Sequence, residues 1–281
     1  MRNTAMKFGL VLSTNATRFS AVSYSDDLER GITRVAALGY DGVELAVRDP
    51  ALLDIRRLEK HIRSAGVEVP AIGTGQAFLE EGLSFTDGRK EIRRNAVDRI
   101  KAHVRFAAGF KAAVIIGLIR GRGGKNRVTE NEFLAECLVE CAAFAAKEGV
   151  KLFIEPLNRY ETKLVNTVEE GMALIRNLKF KNLKLLVDTF HMNIEEPSIY
   201  GSLVKASPCL GHVHFADSNR RPAGCGHLNF MDIVGVLKGL GYNRYISMEM
   251  EPWPTPDEAA RKSIEYVKNY VHNVKREGSY Q

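Results

Sequence analysis

Lys151-Leu152-Phe153-Ile154-Glu155 and, after a helix-like stretch, Leu183-Lys184-Leu185-Leu186-Val187-Asp188 decide the fold of this chain. Each is a short apolar run that ends in a carboxylate. Leu185-Leu186-Val187 is continuous rather than alternating, as in a strand buried on both faces. Thr167 to Leu178 between them reads as a helix, so the segment is strand, helix, strand. The same unit recurs along the sequence. Further strands are predicted over Lys7 to Ser13, Asp41 to Val47, Val67 to Gly73, Ala112 to Leu118, Leu210 to Ala216 and Tyr245 to Met250.

The intervening helices are predicted from the apolar period and its stop signals. The first has Ser25 as N-cap before Leu28, Ile32, Val35 and Leu38, and ends at Gly39. Leu52 to Ala65 stops at Gly66, and Arg89 to Ala108 at Gly109. Glu130 to Glu148, Pro197 to Ala206, Phe230 to Leu240 and Pro256 to Arg276 complete the set. Eight strands alternating with eight helices predict an α/β fold, a single (β/α)8 barrel domain over residues 1–281. An open doubly wound sheet would carry a glycine-rich phosphate turn after strand one, where this chain has Leu12-Ser13-Thr14-Asn15. A length of 281 residues suits the barrel.

Composition excludes several classes. The net charge of +6 is spread along the chain, without the basic and aromatic interleaving that nucleic-acid binding needs. No apolar run is long enough to span a membrane, and residues before Met6-Lys7 read as a short extension without targeting logic. Cys137, Cys141, Cys209 and Cys225 form no CxxC pattern, which fits a reducing cytoplasm, with Cys137 and Cys141 as helix core thiols.

Glu155, Asp188, His214 and Glu249 each close one of four consecutive strands. In a parallel barrel all those ends meet on one face, where such folds place their chemistry. A single carboxylate there is more often a cap or an ion-pair partner. Four ionisable groups behind apolar runs would be costly to bury without a cation, and the donor set suits a divalent metal. Glu44 reads either as a support for this site or as a plain structural ion-pair partner, the second being preferred.

The motifs go further. Glu155-Pro156-Leu157-Asn158-Arg159-Tyr160-Glu161, Asp188-Thr189-Phe190-His191-Met192-Asn193, and His212-Val213-His214 with Asn219-Arg220 and Pro222-Ala223-Gly224-Cys225-Gly226 resemble the xylose isomerase-like barrels. Within these the resemblance is to the ketose 3-epimerases of the D-tagatose and D-allulose type. Val47-Arg48-Asp49-Pro50, Ile72 to Ala77, Gly117 to Arg122 and Asn193-Ile194-Glu195-Glu196 are similar to the 5-keto-L-gluconate epimerase branch, which forms D-tagaturonate.

The resemblance implies a divalent metal, Mn²⁺ first with Mg²⁺ or Co²⁺ as alternatives, held by Glu155, Asp188, His214 and Glu249. Glu161, His191 and Arg220 would hold the substrate. A literal Met-Glu-Pro match would select Glu251 in strand eight; Glu249 is preferred because Glu251 falls beyond the strand end. Epimerising a carbon beside a ketone removes a proton from one face and returns one to the other. Two carboxylates, Glu155 and Glu249, meet that requirement.

Alone, Arg120 and Arg122 read as solvated loop charges; with the branch resemblance and the positive net charge they lean the expected substrate towards a keto-hexuronate, with neutral D-tagatose, D-allulose or L-ribulose as the alternative. A hydroxypyruvate isomerase-like aldose–ketose isomerase, inosose dehydration and a non-catalytic sugar-binding protein are further readings. Abasic-site DNA cleavage would need more histidines at the ends of strands three and four. A homo-oligomer, dimer or tetramer, is expected.

Overall fold

The computed structural model describes residues 6–25, 27–124 and 126–273, with side-chain burial up to residue 269. The extension before Met6 and the last residues of the final predicted helix lie outside them. Eight parallel strands close into a barrel in sequence order. They are β1 (Lys7–Ser13), β2 (Gly42–Ala46), β3 (Ala71–Gly73), β4 (Ala113–Ile116), β5 (Leu152–Ile154), β6 (Leu183–Asp188), β7 (Leu210–Phe215) and β8 (Tyr245–Met248). Several are shorter than the apolar runs that contain them, because pairing stops where each chain turns into its loop.

Among the described residues ten α-helices surround the strands: α1 (Leu28–Ala37), α2 (Ile55–Ala65), α3 (Gly75–Glu81), α4 (Lys90–Phe110), α5 (Arg127–Lys147), α6 (Val168–Leu178), α7 (Thr189–Glu195), α8 (Ile199–Ala206), α9 (Phe230–Gly239) and α10 (Pro256–Asn273). Residues on the outer strand faces, such as Leu10, Leu45, Val114 and Leu185, meet the helices in a continuous apolar shell. The thiols of Cys137 and Cys141 are buried in that shell. No helix among the described residues is long and apolar enough to cross a membrane.

Helix α2 begins at Ile55 rather than Leu52 and α5 at Arg127 rather than Glu130, and two caps differ from the sequence reading. Asp27, not Ser25, caps α1, its carboxylate accepting from the Arg30 amide at 3.0 Å. Asp27 immediately precedes the first helical residue, the position from which a side chain reaches the third amide. Helix α4 continues through Gly109, and Lys111 at φ 56° ends it. The helices α3 and α7 were not anticipated. Both lie directly after strands, at the carboxyl face.

Inside the barrel, the register pairs Asp188 with His214 and Leu186 with His212. Alternation of side chains along each strand then sorts the interior into layers. Ala71, Ala113, Ile115, Phe153 and Leu186 form a small apolar cluster there, separate from the outer shell.

Candidate metal and substrate site

Glu155 follows β5, Asp188 ends β6, His214 is penultimate in β7, and Glu249 follows β8. All four are buried, and one ligand atom from each lies within 4.8 Å of the others. From His214 Nδ1 it is 3.5 Å to Glu155 Oε1, 3.7 Å to Glu249 Oε2 and 3.8 Å to Asp188 Oδ2. Glu155 Oε1, Asp188 Oδ2 and His214 Nδ1 are buried with no hydrogen-bond partner among the described residues. Buried polar atoms are seldom left so. Oxygen and imidazole atoms that converge without partners are a donor set for a divalent cation, and the group could hold one.

The electrostatics agree with that geometry. Burial, then the neighbouring Glu249 charge, pushes Asp188 up to about 8. The same causes raise Glu155. Burial would also raise Glu249, but His214 and Arg220 outweigh it and hold it below its ordinary value. Burial works against a charge on His214, yet Glu44 and Glu249 drive it well above the usual histidine range. Three carboxylates this close cannot all ionise without a compensating positive charge.

Neighbouring elements fix each group. The other oxygen of Asp188, Oδ1, caps α7 by accepting from the amides of Phe190 at 2.7 Å and His191 at 3.3 Å. A Cβ on Gly117 would come within 2.6 Å of Glu155 Oε2, so glycine clears the space in which that carboxylate sits. Glu44 supports the site through its pairs with His212 and His214, the alternative to a plain structural ion pair. It is buried behind His214, and its carboxylate accepts from His214 Nε2 at 3.0 Å and from His212 Nε2 at 2.9 Å. With Nε2 donating to Glu44, Nδ1 is the nitrogen turned to the cluster, and it offers its lone pair there once its proton is displaced.

Arg120 also corrects the sequence reading. Its guanidinium is 0% exposed and donates to the main-chain oxygens of Ile116 at 2.8 Å and Glu155 at 2.5 Å. Longer bonds reach Leu164 and Val165. It is neither solvated nor free to meet a substrate carboxylate; it ties β4 to the backbone of Glu155. Arg122 is exposed and lies over the Phe78 ring.

A cleft opens above the cluster, lined by His191, Arg220, Glu161, Phe19, Gln76 and Leu118 among others. Asn158 donates to His191 Nδ1 from its amide at 3.3 Å and its side chain at 2.8 Å. His191 Nε2 must therefore carry the proton, and it has no partner. Burial keeps this ring neutral, its pKa well below the ordinary value. Arg220 donates to Glu161 Oε1 at 2.7 Å and Glu249 Oε2 at 3.2 Å, and lies over the rings of Phe19 and Phe190.

Glu251 lies outside the four-residue group; its amide donates to the Arg220 carbonyl. Phe19 and Gln76 escaped the sequence reading. Gln76 donates to Ser13 Oγ at 2.7 Å and leaves its own Oε1 buried and unpaired. A clue existed in Gln76, a polar residue three positions past the glycine that ends β3.

The xylose isomerase-like TIM barrel family matches residues 32–270. L-ribulose 3-epimerase of Mesorhizobium japonicum is 29% identical over 255 residues, covering 89% of this chain and 84% of its own. D-psicose 3-epimerase of Agrobacterium fabrum is 42% identical over 242 residues, covering 78% and 77%. A solved structure of L-ribulose 3-epimerase superposes with a TM-score of 0.85 at 26% identity, covering 97% of both chains.

Proposed function

We propose a chemistry and a substrate for this chain, which belongs to the xylose isomerase-like TIM barrel family and is a carbohydrate epimerase, an isomerase. It inverts the carbon beside the ketone of a keto-sugar, and Glu155 and Glu249 exchange the proton. The observation that carries this reading is that two carboxylates on well-separated strands, β5 and β8, flank the same point near His214 Nδ1.

Glu155, Asp188, His214 and Glu249 would hold a divalent metal, Mn²⁺ by preference. Its charge would oppose the negative charge that develops on the substrate oxygens as the proton leaves. Glu249, held ionised by His214 and Arg220, takes the proton in one direction. Glu155, whose burial favours the protonated form, returns one from the other side. The reverse reaction exchanges the roles. His191 donates its Nε2–H to a substrate oxygen, and the Glu161–Arg220 pair holds a neighbouring hydroxyl. Phe19, Leu79, Leu118 and Leu157 form the apolar walls that keep water from the exchanging proton.

The substrate of first choice is a keto-hexuronate, the 5-keto-L-gluconate and D-tagaturonate pair. The sequence runs at Val47–Pro50 and Gly117–Arg122 support it. Carboxylates outnumber cations around the cluster, so a substrate carboxylate must point away from it. In 5-keto-L-gluconate the carboxylate lies at the other end of the carbon chain from the ketone. Arg122 supplies a cation in the loop after β4, with no carboxylate partner among the described residues. A neutral ketose is the second reading, favoured by the L-ribulose and D-psicose 3-epimerases that the chain resembles.

The test incubates Mn²⁺-loaded protein in D₂O with ketohexoses and keto-hexuronates and follows the products by NMR. Deuterium should enter at the inverted carbon only. EDTA should abolish turnover and Mn²⁺ should restore it. Full activity in metal-free protein, or inversion without deuterium uptake, would remove the reading.

A further inference from the structure

Two of the strands that carry the acidic cluster, β5 and β6, have a lysine at or just before their opposite ends. Lys151 stands four residues before Glu155, and Lys184 four before Asp188. Lys7 and Lys111 stand in the same relation to Val11 and Ile115, which line the upper cleft. Side chains alternate along a strand, so Lys7 and Lys184 share the inward parity of the cleft residues, while Lys151 and Lys111 stand just before β5 and β4.

An open cavity occupies this amino-terminal mouth of the barrel, lined by Lys111, Lys151, Lys184, Arg244, Phe110 and Phe153 among others. Two cations at the mouth are already engaged. Lys7 Nζ lies 2.8 Å from both Glu68 oxygens, and Glu68 also accepts from the Tyr245 hydroxyl. Arg244 donates to the Leu210 carbonyl. Lys111, Lys151 and Lys184 have no carboxylate partner among the described residues. The wall below them is dry: Phe153 and His212 are buried and stacked, with ring centroids 5.7 Å apart.

Three uncompensated ammonium groups around one concave opening repel each other and concentrate anions. Ammonium groups act as compact point charges, well suited to tetrahedral oxyanions. We propose that the amino-terminal mouth binds a small oxyanion bearing two or more negative charges, held by Lys111, Lys151 and Lys184. Apolar residues of the barrel interior, with the buried His212 that bonds Glu44, separate this site from the acidic cleft, and it does not depend on the reaction assigned there.

Calorimetric titration of the metal-loaded protein with sodium sulfate, at ionic strength fixed with sodium chloride, tests the site. Sulfate is divalent and does not strip the metal. Saturable binding of one sulfate per chain is expected. Lys151→Met and Lys184→Met keep the aliphatic stems and should each weaken binding by about 10-fold or more, the scale of a charged hydrogen bond. Lys184→Arg should retain it, and epimerase turnover should be unchanged in all three. Competition with glycerol 1-phosphate then separates the sources: tighter binding than sulfate identifies a phosphate ester, equal binding a free inorganic oxyanion. No saturable heat, or equal affinity in the Lys151→Met/Lys184→Met double variant, overturns the proposal.

Discussion

The two mouths of this barrel are built from the same strands and carry opposite charge. At the carboxyl end, Glu155, Asp188 and Glu249 crowd around His214, with Glu44 behind it. At the amino end, Lys111, Lys151 and Lys184 line an open cavity. Between them lie the apolar side chains of Ala71, Ala113, Ile115, Phe153 and Leu186. Five residues, Lys151 to Glu155 or Lys184 to Asp188, can therefore present a cation at one end and a carboxylate at the other. A net charge of +6 says nothing about either end. The upper groups are buried, and Asp188, His214 and Glu249 are held by hydrogen bonds with neighbouring residues, whereas Lys111 and Lys151 are exposed. The carboxyl end is pre-organised for chemistry; the amino end can attract an ion but fixes it less.

Charge changes should therefore matter far more above than below. The largest effect is expected from Glu155→Gln or Glu249→Gln, each of which should lower kcat by about 10²-fold or more, the scale of a general base. Glu251→Gln should stay near wild type, and steady-state kinetics of the three variants checks this. Activity lost at Glu251 and kept at Glu249 would place the base on the wrong residue.

Acidity should reach the upper mouth next. Metal binding must displace protons from Asp188, which titrates at about 8, and from His214, whose pKa is also raised. The metal-bound form then holds fewer protons than the metal-free form, so affinity falls as pH drops below about 8. One displaced proton gives about tenfold per pH unit. Mn²⁺ titrations between pH 6 and 9 read the slope, and a flat profile would contradict the assignment.

Glu44→Gln tests how far the upper mouth depends on the residue behind it. Loss of the carboxylate that accepts from His214 Nε2 should weaken metal binding by about 10- to 100-fold. Co²⁺ absorption measures that affinity without relying on turnover. The smallest effect is expected at Arg122, which is exposed. Arg122→Ala should reduce kcat/KM for a keto-hexuronate by about fivefold at most and leave a neutral ketose unchanged, since exposed ion pairs contribute about 1 kcal/mol or less. Added salt should erase the difference.

Much of the upper mouth was legible in the sequence, and the reason is local. Apolar runs that end in Glu155, Asp188, His214 and Glu249 mark both a strand and the face on which it stops. Burial and partners were harder to read. Glu44 is one acidic residue inside Gly42–Ala46, and nothing local reveals that two histidines distant in sequence donate to it. Arg120 looked like a loop charge because a sequence shows a guanidinium but not the carbonyls folded around it. The helices α3 and α7 are seven residues each, too short for an apolar period to stand out. The lysine mouth was overlooked for a different reason: inward parity has meaning only once the strand register is known.

The Arg120 clamp has a consequence for how the chain finds its register. Its guanidinium is desolvated, and burial lowers its pKa to about 10. It is compensated only when carbonyls from the end of β4, the start of the β5 loop and residues 164–165 stand around it together. A one-residue slip of β5 would turn Glu155 to the outer face and leave a buried cation facing the wrong carbonyls. Arg120 thus proofreads the alignment of β4 and β5, and a misthreaded barrel is penalised at the strand that presents Glu155.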